Sequence, residues 1–365
     1  MADVKTKKRI IYLDYLRVIG IFGVLLNHIS TNWISGVSLN SLIAIFYNSV
    51  GRVGVPIFLM LTGVLLLNNK LPIKDFIKRR YPRVIIPFLF WMGLFILYRF
   101  FVLDPSLLSQ NPMRTAIVSF FTSRWYVWMI LGVYLIIPIF ASFIKGTKLE
   151  GVKYFLIIWF ITTTLCTLST IFGFSLYYLD LAIFSGPIGF LMLGYYLHNK
   201  EINMSPKKIV IISLFVFILF TLFKTYIAYY DLSLSHSFKY YIFTVESHLE
   251  NDPISIIQVA ALFLIVKYLP MVQSGICGKI TKFGNKEKIL LLIISISQAS
   301  YGIYLCHYFI TYTVIKIMGM YNIAFSSIPS IIVVPIATIC VLLLSYGIMM
   351  ILNKVPVINK LTGYH

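Results

Sequence analysis

The chain has 365 residues, 59% of them hydrophobic and 12% charged, whereas a soluble domain carries about 25% charged residues. That deficit excludes water as the main solvent, and no stretch of mixed polarity is long enough to fold outside a bilayer. The net charge of +19 would suit a nucleic-acid partner, but the cations fall between apolar blocks with no aromatic-interleaved basic stripe, which excludes that class and marks a membrane topology instead.

A crossing helix needs about 20 mostly apolar residues. Blocks of that kind run over about 11–30, 42–67, 84–103, 125–144, 154–172, 180–198, 208–229, 253–270, 289–315 and 326–352. They predict an all-α, polytopic integral membrane bundle of about ten transmembrane helices, one domain over 1–365 with short tails at 1–9 and 353–365 and no appended extracytoplasmic domain. The first block follows Lys7-Lys8-Arg9 as a signal peptide would, but no small-residue cleavage site ends it, so it is expected to remain as the first helix. Pro56, Pro87, Pro138, Pro187 and Pro335 fall inside blocks and predict kinks, which buried membrane helices tolerate. Cys166, Cys277, Cys306 and Cys340 are scattered, so neither disulfides nor a metal site is expected.

Cytoplasmic loops retain positive charge. Lys5, Lys7, Lys8 and Arg9 precede the first block, and Lys70, Lys74, Lys78, Arg79, Arg80 and Arg83 follow the second. Lys145, Lys148 and Lys153, then Lys200, Lys207 and Lys208, then Lys267, Lys279, Lys282, Lys286 and Lys288, and finally Lys354 and Lys360 fill every second loop thereafter. The largest intervening loop, about 230–252, instead holds Asp231, Glu246, Glu250 and Asp252. This alternation predicts a multi-pass protein of the cell membrane, bacterial inner or plasma membrane, with both termini in the cytoplasm.

Ionisable side chains within membrane helices are costly and mark functional sites by default. In the first block Arg17 and His28 are eleven residues apart, which returns to nearly the same helix face roughly 16 Å further along the axis. One reading has Asp14 and Arg17 snorkelling as an i,i+3 pair with His28 at the outer interface; the other makes His28 a general base in a pocket. Gly51-Arg52-Val53-Gly54-Val55-Pro56 can pack closely or line a cavity. On a helix, Arg80-x-x-Arg83 sets two guanidinium forks on neighbouring turns, suited with Lys78 and Arg79 to a phosphate-bearing anion or to anionic membrane lipids. Arg124-Trp125-Tyr126 opens a block where an aromatic belt is the default. Ser300, Tyr304 and His307 follow one another at one-turn steps within a later block, so an interfacial reading suits His307 less well than His28.

Taken in order, these segments resemble the acyltransferase-3 family of multi-helix membrane acyltransferases. The resemblance rests on Leu13-Asp14-x-x-Arg17 followed by His28, on Gly54 to Gly63 with Thr62 where Ser is common, and on Arg80-x-x-Arg83 before Ile86-Pro87. It also rests on Trp125-Tyr126 with Leu131, Tyr134 and Pro138, and on Ser300 to His307. It implies an enzyme with no permanently bound cofactor that takes an acyl group, usually acetyl, from acyl-coenzyme A in the cytoplasm. The acceptor it implies is a sugar hydroxyl of a glycan or glycolipid at the cell surface; Ile, Lys and Asn usage points to a low-GC bacterium and so to a cell-wall or capsular polysaccharide. His28 would then act as base or become acylated, and Arg17 would position the donor with Asp14 restraining it. Arg80, Arg83, Arg79 and Lys78 would hold the coenzyme A phosphates. Thr62, Trp125, His307, Tyr304, Ser300 and Arg52 would line the pocket. Without an extracytoplasmic domain, the chain would acylate its acceptor directly, as a monomer or homodimer, or pass the group to a separate extracytoplasmic protein. The rival reading is a transporter or flippase for a surface polysaccharide or its lipid-linked precursor.

Overall fold

The computed structural model describes residues 9–68, 72–103, 112–114, 118, 125–172, 184–235, 252–272, 275–320 and 328–364. Among these the chain is helical throughout, with no strands: α1 Ile11–Ser30, α2 Leu39–Gly51, α3 Gly54–Leu66, α4 Ile73–Tyr98, α5 Trp125–Phe172, α6 Ile188–Asn199, α7 Pro206–Ser235, α8 Pro253–Tyr268, α9 Gly275–Gly284, α10 Glu287–Met320 and α11 Ser330–Asn353. Among the described residues eight candidate spans are long and apolar enough to cross a membrane, which makes the protein a polytopic helix bundle. The expected blocks 125–144 and 154–172 both lie in α5, which is interrupted at Lys148 by φ 56° and ψ −151°. The expected block 180–198 shows only the 12 residues of α6, about 18 Å at 1.5 Å per residue and too short to span alone. Lys5, Lys7, Lys8, Lys70, Arg124, Glu246 and Glu250 lie outside the described residues.

The prolines act according to position. Pro56 occupies the first turn of α3, where a missing N–H costs nothing, and the chain breaks before it, at Arg52-Val53. Pro187 caps α6, whereas Pro87, Pro138 and Pro335 sit inside α4, α5 and α11. The basic segment 73–83 is not a loop: α4 begins at Ile73 and carries Arg80 and Arg83 continuously toward the apolar block.

Helix α1 is the centre of the bundle, packed on α2, α3, α8, α10 and α11. Small residues set its distance from α2 and α3. A Cβ at Gly51 would lie 2.6 Å from the backbone nitrogen of Asn27, and one at Gly54 would lie 2.7 Å from the carbonyl oxygen of Gly20. Helix backbones approach this closely only where side chains are absent. Gly63 and Gly194 do the same between α3 and α6, where any Cβ would collide with the backbones of Leu191 and Met60. Away from this centre, the buried Lys224 of α7 pairs with Asp252 at 3.6 Å, and Asp252 also accepts from the backbone N–H of Ser255 at 2.8 Å, so one carboxylate caps α8 and ties it to α7.

Three helices run in the same direction. Asp14 of α1 meets Ser297 of α10 at one end and His28 meets Tyr308 at the other, while Tyr301 donates to the carbonyl of Val84 in α4 at 2.8 Å. Helix α5 runs against them, since Tyr126 packs on Tyr304 and Tyr134 on Tyr81. The segment after α11, expected as a tail, folds back onto the bundle. Thr362 is fully buried, and its carbonyl accepts from the Trp91 indole at 3.0 Å.

Candidate active site

Where α1, α3, α4, α5 and α10 meet, they enclose a cavity of about 490 Å³, inside the range of roughly 300–1,000 Å³ typical of small-molecule sites. Each helix contributes one face at helical spacing: Arg17 and Val24 from α1, Phe58 and Thr62 from α3, Arg80 and Arg83 from α4, Tyr126, Ile130 and Tyr134 from α5, and Ser297, Ser300, Tyr301 and Tyr304 from α10. Gly363 completes the wall. It adopts φ +82°, and a Cβ there would meet the Tyr301 ring at 2.9 Å, so backbone conformation and space both call for glycine.

Three arginines face this space, and none of its described lining residues is a carboxylate. Asp14 explains the imbalance. It is buried, and Arg9 grips it with Nε at 2.8 Å and Nη2 at 2.7 Å. The carboxylate in turn holds the Arg9 guanidinium above its ordinary pKa, chiefly through that side-chain hydrogen bonding. Arg17 stands further off, with Nη1 3.9 Å from Asp14. Between them is the Ser297 hydroxyl, which accepts from Arg17 at 3.0 Å and donates to Asp14 at 2.7 Å. The carboxylate is thus largely matched by Arg9, and Ser297 orients Arg17 along the cavity wall. Such a field, walled by low-dielectric side chains, attracts anions.

The far end of the cavity leads to two histidines. Val24 lines it, and His28 is one turn beyond on the same face, about 6 Å along the axis. Tyr304 also lines it, and one turn beyond on α10 is His307, fully buried. The two imidazoles stack with centroids 5.4 Å apart, and the Tyr308 hydroxyl is 3.3 Å from Nε2 of His28. Nδ1 of His307 is 2.6 Å from the carbonyl oxygen of Tyr304. A carbonyl only accepts, so Nδ1 carries the proton of a neutral His307 and leaves Nε2 as its basic nitrogen. A chain of short steps therefore joins the arginine-lined cavity to His28. A family model described as an acyltransferase domain matches residues 10–350. The chain belongs to the acyltransferase-3 family. No curated protein and no solved structure matches it.

This membrane acyltransferase sorts the residues singled out in its sequence into groups. Arg17, Thr62, Arg80, Arg83, Ser300 and Tyr304 line the cavity. His28 and His307 stand together past its end, and Asp14 lies behind Arg17. Lys78 and Arg79 are exposed and outside the cavity lining: at 100° per residue Lys78 falls on the opposite side of α4 from the stripe that holds Phe76, Arg80, Arg83 and Pro87, and Arg79 falls on the shoulder of that stripe, about 40° from Arg83. Arg52 is buried at the α2–α3 break, where its Nε donates to Asn48 at 3.1 Å, outside the cavity lining. Trp125 packs its edge on Tyr126, which is the residue that reaches the cavity. Ser297, Tyr126, Tyr134 and Tyr301 line the cavity too, although none was expected as a site residue. Tyr126, Tyr134 and Tyr301 fall within motifs that carry the family resemblance, and all four share helical register with other lining residues: Ser297, Ser300, Tyr304 and His307 follow 3-4-3 spacing, and Tyr126, Ile130 and Tyr134 follow 4-4.

Proposed function

We propose that this acyltransferase is an O-acyltransferase, with acetyl as the group moved. Its donor is acyl-coenzyme A held at the cytoplasmic mouth, and its acceptor is a hydroxyl of an extracytoplasmic or lipid-linked surface polysaccharide. The observation that carries the reading is the cavity itself, which is lined by Arg17, Arg80 and Arg83 and reaches Val24, one helical turn before His28. Coenzyme A has the matching shape, with phosphates at one end of a thin arm and the thioester at the other. Arg80 and Arg83 are suited to the phosphates by their paired forks, and the tyrosine-walled interior is suited to the arm. This reading sets both chain termini in the cytoplasm, in agreement with the distribution of lysine and arginine.

The chemistry balances on His28. Its neutral imidazole removes the proton of the acceptor hydroxyl as the oxygen attacks the thioester carbonyl. The tetrahedral intermediate collapses with breaking of the C–S bond, and the imidazolium returns the proton to the departing coenzyme A thiolate. His307 and Tyr308 hold the ring of His28 in orientation, and Arg17, on the same face of α1, is suited to positioning the donor. Attack by His28 itself on the thioester, giving an acyl-imidazole, is the competing route.

The test uses purified protein in nanodiscs with radiolabelled acetyl-coenzyme A. Wild type is expected to bind and slowly consume the donor, His28→Ala to bind without turnover, and Arg83→Glu to lose binding. Label retained on denatured wild type but not on His28→Ala assigns the acyl-imidazole route. If wild type binds neither acetyl-coenzyme A nor a longer acyl-coenzyme A, the donor assignment is wrong and carriage of the glycan becomes the better reading.

A further inference from the structure

Helix α9 has ten residues, so it is about 15 Å long and too short to cross a bilayer. It nevertheless exposes a continuous apolar stripe. Ile276, Ile280 and Phe283, at i, i+4 and i+7, are 78%, 52% and 61% exposed. The opposite face is anchored: Gly278 is buried, and the Thr281 hydroxyl donates to the carbonyl of Leu269 at 3.0 Å. Along one flank of the stripe run Lys279 and Lys282, both exposed. Lys286 follows, with its ammonium 5.3 Å from the centre of the Phe283 ring. No acidic residue lies within the helix.

An outward apolar stripe in water would be a liability. With lysines along one edge, on a short helix just before the membrane-crossing α10, it matches a helix that lies in the bilayer interface. The end of the bundle is the right one, because the Tyr15 hydroxyl of α1 donates to the carbonyl of Gly284 at 2.7 Å, which sets α9 beside the first turns of α1. We propose that α9 is a lipid-binding element that inserts Ile276, Ile280 and Phe283 among the acyl chains and binds anionic phospholipid headgroups through Lys279, Lys282 and Lys286. Charge complementarity selects the anionic lipid, since each lysine near such a surface strengthens binding about fivefold. The proposal is independent of the acyltransferase reading. Its structural consequence is that lipid contact also steadies the Tyr15–Gly284 bond, one residue from Asp14.

The test is amide hydrogen exchange on the full-length protein in nanodiscs of phosphatidylcholine alone or with 30% phosphatidylglycerol. Exchange over 275–284 is expected to slow at least fivefold in the anionic discs, and 0.5 M salt is expected to remove the difference. The triple variant Lys279→Gln, Lys282→Gln, Lys286→Gln should exchange alike in both discs. Ile280→Ser with Phe283→Ser should raise exchange of this segment in both. Unchanged exchange over 297–307 in each variant establishes that the bundle is intact. Equal wild-type exchange in the two discs, or a difference that survives the triple variant, overturns the proposal.

Discussion

Ser297→Ala separates orientation of Arg17 from its mere presence. The hydroxyl makes two hydrogen bonds to charged partners, at 3.0 Å to Arg17 and 2.7 Å to Asp14, and each bond of that kind contributes about 1.5–3 kcal/mol. Most of this is recovered in the variant, because Arg17 and Asp14 are already 3.9 Å apart and can close into a direct pair. The expected stability loss is therefore small, about 1 kcal/mol. The cost falls on the site, because a guanidinium drawn onto Asp14 leaves the cavity wall. Losing one charge-assisted contact to the donor weakens binding about tenfold, or about 1.4 kcal/mol. The assay is equilibrium binding of a thioether analogue of acetyl-coenzyme A in nanodiscs, with thermal melting in parallel. Ser297→Thr, which keeps the hydroxyl, should restore wild-type affinity. Unchanged donor affinity in Ser297→Ala would refute the reasoning, since it would show that Arg17 needs no orienting partner or does not meet the donor.

Other perturbations follow from the same geometry. Arg80→Glu or Arg83→Glu should weaken donor binding by about 100-fold or more, as a phosphate contact of about 1.5–3 kcal/mol becomes repulsive; Lys78→Ala and Arg79→Ala, outside the cavity, should stay within about threefold, and filter binding at two salt concentrations separates them. His28→Ala should lower kcat by about 10²–10⁴-fold while donor affinity moves less than about threefold, because the cavity ends one turn short of the imidazole. Gly51→Ala should lower the melting temperature sharply, since its Cβ would meet the Asn27 backbone at 2.6 Å and overpacking costs about 1–3 kcal/mol; Gly93→Ala, with open space around the Cβ, is the control expected to be neutral. Gly363→Val should weaken donor binding and cost about 1–2 kcal/mol for its left-handed backbone, read by melting and by the same binding assay.

Spacing along single helices proved legible. Arg17 and His28 share the inward face of α1, and Arg80 and Arg83 share that of α4, because a period of 3.6 residues fixes which side chains point together whatever the neighbours are. Lys78 and Arg79 belong to the same charge run but do not line the cavity; register turns Lys78 away, whereas the exclusion of Arg79, an i,i+4 neighbour of Arg83, is decided by the packing of α4 on its neighbours. The return of Thr362 and Gly363 onto α4 and α10 had no sequence signal, since a short polar tail reads alike whether docked or free. Nor could the sequence show that Arg9, not Arg17, is the close partner of Asp14: both spacings are feasible, and only the placement of Ser297 from α10 decides between them.

What the sequence by itself determined is the solvent and the secondary structure. Runs of about 20 apolar residues admit only helices in a bilayer, because every backbone donor and acceptor must be satisfied within its own segment. What only the tertiary structure decided is which helices touch. The cavity needs five helices drawn from residues 11 to 320, and the close contact at Gly54 sets two of them, α1 and α3, against each other. Its charge depends on a carboxylate being occupied from one side by Arg9 and screened from Arg17 by a hydroxyl on a helix nearly 300 residues away. Those are properties of packing, which depend on distances between segments that no local pattern specifies.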